Sequence, residues 1–385
     1  MGVEAIGWID ACGVLGRYQL LTWQRYQLTR SLELRDGELR WPVVITTLAR
    51  QQGKSIGLRG QSWWRIHQAE RFGEDQLVIH VANLSRTARE VWAPAARFAM
   101  RKYDRKVAKW GKGGEEIDLS DYGHGRWVLQ AADENAGIGY SPTQGNVDEA
   151  WNVDAAVVDD GLSPAMIERV QPQTLLWSTA GDSSSDLLLG YREQALQDTA
   201  GTGDVLLLEW SPPPDLPYDH PNTWRWASPH WSDRRERFLA SRLKLITEDR
   251  FRVQYLNQWV RAVGGWIGAA DWAAGYDQAP APDRVPDVLA VETSPNGERF
   301  AIVQAWKLED GAITVRASST SSSSTLWRSV DQASPRVLLL PPALAIHYTG
   351  RRRATVVGTV ELGKHLVGVG RAIRDGKIRH SPDDH

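Results

Sequence analysis

Apolar and polar positions alternate in two different rhythms along this chain. Up to about residue 260, short apolar or β-branched runs are separated by longer stretches of helical spacing. The runs at Val43 to Thr47, Gln76 to Val81, Arg126 to Gln130, Thr174 to Thr179 and Asp204 to Trp210 predict strands. Residues 17–30, Ile56 to Phe72 with Gly73 as its stop, Thr87 to Trp110, Ser232 to Ile246 and Phe251 to Trp259 predict helices. Lys109 to Tyr122, rich in glycine and charge, predicts a loop or hairpin. Strand and helix in alternation predict a mostly parallel sheet flanked by helices. After Ala279 to Pro286, which has the composition of a linker, the period changes to two. Val288 to Thr293, Arg299 to Trp306 and Ala312 to Ala317, joined by Ser-Pro-Asn-Gly and Leu-Glu-Asp-Gly turns, predict an antiparallel meander. A loop at Ser318 to Ser324, a helix at Leu326 to Gln332 and a strand at Arg336 to Leu340 complete a second α/β domain.

Polar chemistry enters where this pattern is interrupted. The first strand runs into Ala49-Arg50-Gln51-Gln52-Gly53-Lys54-Ser55 and then a helix. Such a turn can cradle phosphates in backbone N–H groups, with a lysine for the outer phosphates and a hydroxyl for Mg²⁺. The usual first glycine would fall at Leu48, so a polar turn before a helix fits the tripeptide equally well. Trp23-Gln24 pairs an aromatic ring with an amide able to recognise an adenine edge, although a surface glutamine reads the same way. Asp148-Glu149 is the carboxylate pair expected at a strand end, one to orient Mg²⁺ and one to position water. The residues before it include Pro142, Gln144, Gly145 and Asn146, so a solvated loop is the competing reading.

Composition narrows the class. With 385 residues and 42% hydrophobic content, the chain can bury two cores. A formal net charge of −2 excludes a surface uniformly coated in basic residues, and leaves local patches at Arg351-Arg352-Arg353 and between Trp224 and Arg237 as candidate phosphate contacts. Cys12 is the sole cysteine, which excludes an internal disulfide and a cysteine-rich zinc site and fits a reducing compartment. Acidic residues stand where a signal peptide needs basic ones, and the longest apolar run, Val337 to Ile346, is too short to span a bilayer. The 19 tryptophans read mainly as core fillers.

Together, the order and spacing of these segments resemble the large subunit of tailed-bacteriophage terminases, the ATP-driven genome-packaging motors, over nearly the whole chain. Trp23-Gln24 looks like the family's adenine-binding glutamine motif, Ala49 to Ser55 like its deviant Walker A, and Val147 to Trp151 like Walker B. Leu176 to Gly181 is similar to the motif coupling hydrolysis to movement, and Glu209 to Pro212, Asp219 to Trp224 and Phe251 to Trp259 to the lid region.

The resemblance implies a P-loop ATPase domain at 1–260, a linker at 261–286 and a ribonuclease-H-like domain at 287–385 that stops before the family's last helix. It implies ATP with Mg²⁺: Lys54 on the β/γ-phosphates, Ser55 and Asp148 on the metal, and Glu149 polarising water. Gln24 would meet adenine, Arg50 sense the γ-phosphate, Gln51, Gln52 and Gly53 line the loop, and Ser178 and Thr179 transmit phosphate loss. For a nuclease using Mg²⁺ or Mn²⁺, the implied ligands are Glu292, where the family usually has aspartate, and Asp383 or Asp384 after the histidine motif ending at His380. Pro341-Pro342-Ala343 stands where a middle carboxylate is expected. Implied partners are double-stranded DNA, a phage portal and a small terminase subunit, with a homo-oligomeric ring, no membrane, and the cytoplasm of an infected bacterial host as the location. Two rival readings are a catalytically degenerate scaffold of terminase shape and another P-loop helicase or remodelling ATPase.

Overall fold

The computed structural model describes residues 1–111, 113–260, 267, 269–294, 297–350 and 352–380. The chain divides into two compact units, Met1–Gly264 and Gly265–His385.

The first unit opens with α1 (Gly2–Cys12), α2 (Thr22–Ser31) and a small hairpin of β1 (Leu34–Arg35) and β2 (Glu38–Leu39). Its main sheet collects β3 (Val43–Thr47), β4 (Leu77–Ala82), β5 (Ala108–Lys109), β6 (Glu116–Asp118), β7 (Arg126–Ala131), β8 (Gln144–Asp148), β9 (Gln173–Ser178) and β10 (Val205–Glu209). Their spatial order is β10-β3-β9-β8-β4-β7-β6-β5, parallel from β10 to β7 and antiparallel at β6 and β5. The helices are α3 (Lys54–Arg65), α4 (Ala69–Phe72), α5 (Ser85–Lys102), α6 (Ser163–Ala165), α7 (Asp186–Gln197), α8 (Pro221–Trp226), α9 (Asp233–Leu243) and α10 (Glu248–Leu256). Alternate residues of one strand enter opposite cores. Val44, Val78 and Leu175 pack with Leu58, Trp63 and Trp92, while Ile45, Ile79, Val147 and Leu176 pack with Val157, Leu162 and Leu188. Both faces of the sheet are therefore covered, as parallel strands require.

Several elements of this unit depart from the sequence pattern, three of them in ways that bear on the site. The expected helix from Ile56 to Phe72 breaks after Arg65, whose side chain is fully buried. Arg65 donates from Nε to Gln76 Oε1 at 2.7 Å and from Nη2 to Gln171 O at 2.7 Å and Thr143 O at 3.3 Å, tying together the segments that enter β4, β8 and β9. Burial pushes its pKa down to about 9. The helix expected to reach Trp110 ends at Lys102, and the chain turns into β5. The solvated-loop reading of the segment before Asp148 is also corrected: β8 is a strand buried at every position. Asn146 Nδ2 donates to Ser62 Oγ at 2.8 Å, and Gln144 Nε2 donates to Asn146 Oδ1 at 2.9 Å. Gly145 makes room for Met166, whose Cε would lie 2.7 Å from an added Cβ. Polar residues form a central strand here because α3 and the strand itself bring them partners.

His80 on β4 is fully buried, lies stacked 6.0 Å from Trp127, and has no hydrogen-bond partner for either ring nitrogen among the described residues. Burial lowers its pKa from 6.5 to about 3. The folded state thus holds it neutral, while the unfolded chain protonates it near its ordinary value. Stability is complete above that value and is lost as pH falls from 6.5 towards 3, at up to ~1.4 kcal/mol per pH unit. His80→Phe keeps the ring stack and is expected to flatten this acid limb in urea unfolding compared at pH 7 and pH 5.

The second unit contains α11 (Ala269–Ala274), which lies within the stretch read as linker, then β11 (Val288–Thr293), β12 (Phe300–Lys307) and β13 (Ile313–Thr320). These are followed by α12 (Ser323–Ala333), β14 (Val337–Leu340), α13 (Pro342–Ala345), β15 (Ala354–Val356), α14 (Thr359–Arg374) and β16 (Ile378–His380). The order is β15-β14-β11-β12-β13-β16; β11 to β13 form the expected antiparallel meander, and β14 and β15 extend it in parallel from β11. Leu326 and Val330, one helical turn apart on α12, join Leu289, Val291, Ile302 and Leu338 in the core of this unit. The serine-rich loop is shorter than expected: β13 runs to Thr320, and Ser322 Oγ caps α12 by accepting from Thr325 N at 3.3 Å. Helix α14 is not evident from the sequence pattern, where Gly363, Gly368 and Gly370 dilute the apolar period. Among the described residues no helix is long and apolar enough to cross a membrane.

Candidate functional site

Strand register brings Thr47 beside Ser178 and Glu209, and Asp148 beside Trp177, so the ends of β3, β9, β8 and β10 form one edge of the sheet. The turn from β3 to α3 lies at this edge. Leu48 N donates to Ser178 O at 3.3 Å, Ala49 N to Ala227 O at 3.4 Å and Arg50 N to Gln254 O at 3.0 Å. Gln51 and Gly53 take positive φ values of 62° and 93°. An added Cβ on Gly53 would also lie 3.1 Å from Gln24 Nε2, so glycine suits this position on both counts.

Helix α2 fastens the turn from the other side. Trp23 Nε1 donates to Gln52 O at 3.0 Å, and Gln24 Nε2 donates to Gly53 O at 2.7 Å. Gln24 Oε1 accepts from Leu21 N at 2.7 Å, so both ends of this fully buried amide are engaged with backbone. Trp23 is buried and meets Trp177 and Trp210 edge-on. Next to it opens a cleft of about 510 Å³, lined by Thr22, Trp23, Tyr26, Leu207, Trp210 and Pro229 among others. Gln52 Oε1 accepts from His230 N at 2.9 Å.

The charges are concentrated. Lys54, the first residue of α3, is 8% exposed, and burial drives its pKa down while Glu149 and Asp148 act in the other direction. Asp148, at the end of β8, is 3% exposed and its pKa is pushed up to about 7 by burial and then by the neighbouring Glu149, with Lys54 opposing. Glu149 adopts φ 54°, the left-handed region that a side chain rarely occupies. Its Oε2 accepts from Trp151 Nε1 at 3.0 Å. Ser55 is exposed in the first turn of α3. Ser178 Oγ donates to Thr179 O at 2.7 Å; Thr179 Oγ1 is buried without a hydrogen-bond partner among the described residues, as is Arg50 Nε. The Ser55 hydroxyl and the Asp148 carboxylate are the oxygen donor types that suit a hard divalent cation, whose charge would offset the cost of ionising Asp148.

Three further residues belong to this edge; each falls in a segment singled out in the sequence, but none is given a role of its own there. Arg235 on α9 donates from Nη2 to Arg50 O at 3.0 Å and from Nε to Ser228 Oγ at 2.9 Å, and burial lowers its pKa to about 10. Its charge also lowers the pKa of Lys54. Asn257, left-handed at φ 54° after α10, accepts from Ala180 N at 2.6 Å and donates to Thr47 Oγ1 at 3.1 Å and Trp210 O at 3.2 Å. The expected helix from Phe251 to Trp259 thus ends early, at Leu256, with Asn257 as its left-handed cap; the three distant partners of this asparagine leave no local trace in the sequence. Trp151 is the third. Of the Trp224 to Arg237 patch, Trp224 is core and Arg235 faces the turn, while Arg234 and Arg237 remain outside the core.

In the second unit Glu292, the penultimate residue of β11, lines a mainly apolar cavity of about 210 Å³ with Ala290, Ala301, Val303, Leu339 and Pro341. It is exposed and accepts from its neighbour Thr293 N at 2.9 Å. Among the described residues no cluster of three or more His, Cys, Asp or Glu side chains suited to a metal occurs. Asp383 and Asp384 lie outside the described residues, as does Arg351. Arg352 is tied to the backbone by Nη1 donating to Pro335 O at 2.6 Å.

No family model matches the sequence, and no curated protein matches it. Solved structures do. The large terminase of bacteriophage HK97 is 17% identical, with 98% of this chain and 90% of that one covered at a TM-score of 0.58. The ATPase domain of the Thermus phage P74-26 large terminase is 15% identical over 64% of this chain and 96% of its own at 0.43. The large terminase of a thermophilic bacteriophage is 10% identical over 94% and 88% at 0.45. The HK97 likeness establishes the fold across both units; the two scores below 0.5 add nothing to it.

Proposed function

We propose that the first unit is a Mg²⁺-dependent ATPase of the terminase kind, whose turnover drives double-stranded DNA into a procapsid. The observation that supports this most is the meeting of Lys54, Asp148 and Glu149 at a strand-turn-helix edge, in a chain with the HK97 terminase fold. Lys54 and the N–H groups opening α3 bind the outer phosphates. Ser55 and Asp148 would hold Mg²⁺, which would supply charge neutralisation on the phosphates. Glu149 orients the attacking water, and Arg50, fixed through its backbone by Arg235 and Gln254, faces the γ-phosphate. Ser178 and Thr179 relay phosphate loss. Double-stranded DNA, a portal, a small terminase subunit and further copies in a ring are the partners of this reading, in the cytoplasm of an infected host. Phosphate release with and without double-stranded DNA tests it; nucleotide binding without any release would favour the scaffold instead. Metal-dependent cleavage enters only through Glu292 with Asp383 or Asp384, and plasmid nicking in Mg²⁺ or Mn²⁺ is its test.

Base selectivity should be low. Gln24 spends both amide ends on Gly53 and Leu21, which leaves Tyr26 and Trp210 in the adjacent cleft to hold a base by stacking, and stacking accepts any purine. GTP is expected within about tenfold of ATP in kcat/KM. A preference for ATP beyond about a hundredfold would instead return Gln24 to the adenine edge.

Arg235→Ala should lower turnover by loosening the phosphate turn, by roughly tenfold on the scale of a misplaced catalytic group. Steady-state hydrolysis of this variant against the unaltered chain measures it.

A further inference from the structure

Resting on the ATPase reading, we propose that Trp151 is a positioning residue for Glu149 and joins it to the end of β9. The residue has two polar contacts with different partners. Its indole Nε1 donates to Glu149 Oε2 at 3.0 Å, and its backbone N donates to Ser178 Oγ at 3.0 Å. Ser178 is in turn bound to the phosphate turn, because its carbonyl accepts from Leu48 N at 3.3 Å, and its hydroxyl donates to Thr179 O at 2.7 Å. A short path therefore runs from the turn to Ser178, through Trp151, to the carboxylate.

The surroundings hold the ring in place. Trp151 packs against the core cluster containing Val147, Val157 and Leu188. An added Cβ on Gly181 would lie 3.2 Å from Trp151 Cβ, so the chain after β9 passes directly over the residue. Asn83 Nδ2 donates to Asn152 O at 2.7 Å and pins the segment just beyond it. Glu149 needs such support. Its left-handed backbone is a conformation of higher energy, and a carboxylate on a strained turn keeps one direction only if something over-determines it. Among its neighbours, the indole N–H gives that direction at an ordinary N–H···O hydrogen-bond distance. A shift of Ser178 on phosphate loss would be carried to Glu149 by the rigid ring, which makes Trp151 the link between sensing and water activation.

Trp151→Phe keeps an aromatic ring on the same Cβ and deletes the donor. In the full-length protein, kcat for ATP is expected to fall by on the order of ten- to a hundredfold, with KM within about twofold of the unaltered chain. Trp151→Met, which removes the donor with different packing, should give the same split, and thermal melts of both identify any loss of fold. Ser178→Ala interrupts the path at its other end. The Trp151→Phe/Ser178→Ala double variant should be no slower than the slower single, because both cut one connection. Unchanged or raised kcat in Trp151→Phe, a raised KM with kcat retained, or multiplicative losses in the double variant would each overturn the proposal. If the unaltered chain releases no phosphate while Trp151→Phe melts normally, the ATPase reading has failed, and this inference falls with it. Hydrolysis by the unaltered chain that Lys54→Ala abolishes, together with an inert Trp151→Phe, sinks the inference alone.

Discussion

Replacing Lys54 with alanine should abolish ATP hydrolysis without unfolding the protein. The ammonium sits at the start of α3, is almost wholly buried and has its pKa lowered chiefly by burial. Keeping a cation there in the absence of phosphate costs stability, so its removal is not expected to lower the melting temperature. Its value lies in the charge it presents to phosphates, whose transfer depends on positioning and electrostatic stabilisation with little covalent work for the protein. A loss of at least about 10²- to 10³-fold in kcat is expected, the scale of removing one preorganised stabilising group. Glu149→Gln should lose turnover on a similar scale and retain nucleotide binding, since the amide keeps the shape but not the charge. Phosphate release paired with binding of a fluorescent nucleotide separates the two variants. DNA-stimulated hydrolysis at the normal rate in either one would remove that residue from the mechanism.

The second large effect is expected at Asn257, through stability. Its amide holds Ala180 N, Thr47 Oγ1 and Trp210 O, at the ends of three different strands, and the side chain is fully buried. Truncation leaves these groups unpaired in the interior, at roughly 1–3 kcal/mol for each buried group not rescued by water. Asn257 is also left-handed at φ 54°, which asparagine tolerates and alanine does not. Comparing two variants separates the causes. Asn257→Gly relieves the backbone and loses only the clamp, whereas Asn257→Ala loses the clamp and adds strain. Urea unfolding should show both destabilised by several kcal/mol, with Ala worse than Gly by roughly 1 kcal/mol. If Asn257→Gly matches the unaltered chain, the clamp contributes nothing net and the site edge is held by the strands alone.

Much of the fold can be read along the chain because the two units use different periods. Continuous apolar runs flanked by helical spacing announce a covered parallel sheet, and β3, β4, β7, β9 and β10 fall within a residue or two of the expected runs. The change to alternation announces the antiparallel meander of β11 to β13. Local rules stop where partners come from far away in sequence. Nothing near Gln144 or Asn146 in the chain suggests a central strand, since Ser62, which satisfies Asn146, is on α3. Nor does any local feature stop a helix at Arg65; the break serves carbonyls near residues 143 and 171.

The candidate site divides in the same way. Residue types and order along the sequence determined the components: a glycine-lysine-serine turn after a β-branched strand, a carboxylate pair, and a hydroxyl pair at a strand end. These are properties of short segments, and short segments carry them whole. Only tertiary structure decided what each component faces. It placed β9 between β3 and β8, so that Ser178 stands between the phosphate turn and the carboxylates, a consequence of strand order that no local pattern encodes. It turned Gln24 towards the backbone of Gly53, brought Arg235 from α9 to Arg50 O, and set the indole of Trp151 on Glu149. The physical reason is common to all three: a polar group leaving water must find a partner with the right geometry, and which partner is within reach is settled by packing across the whole unit.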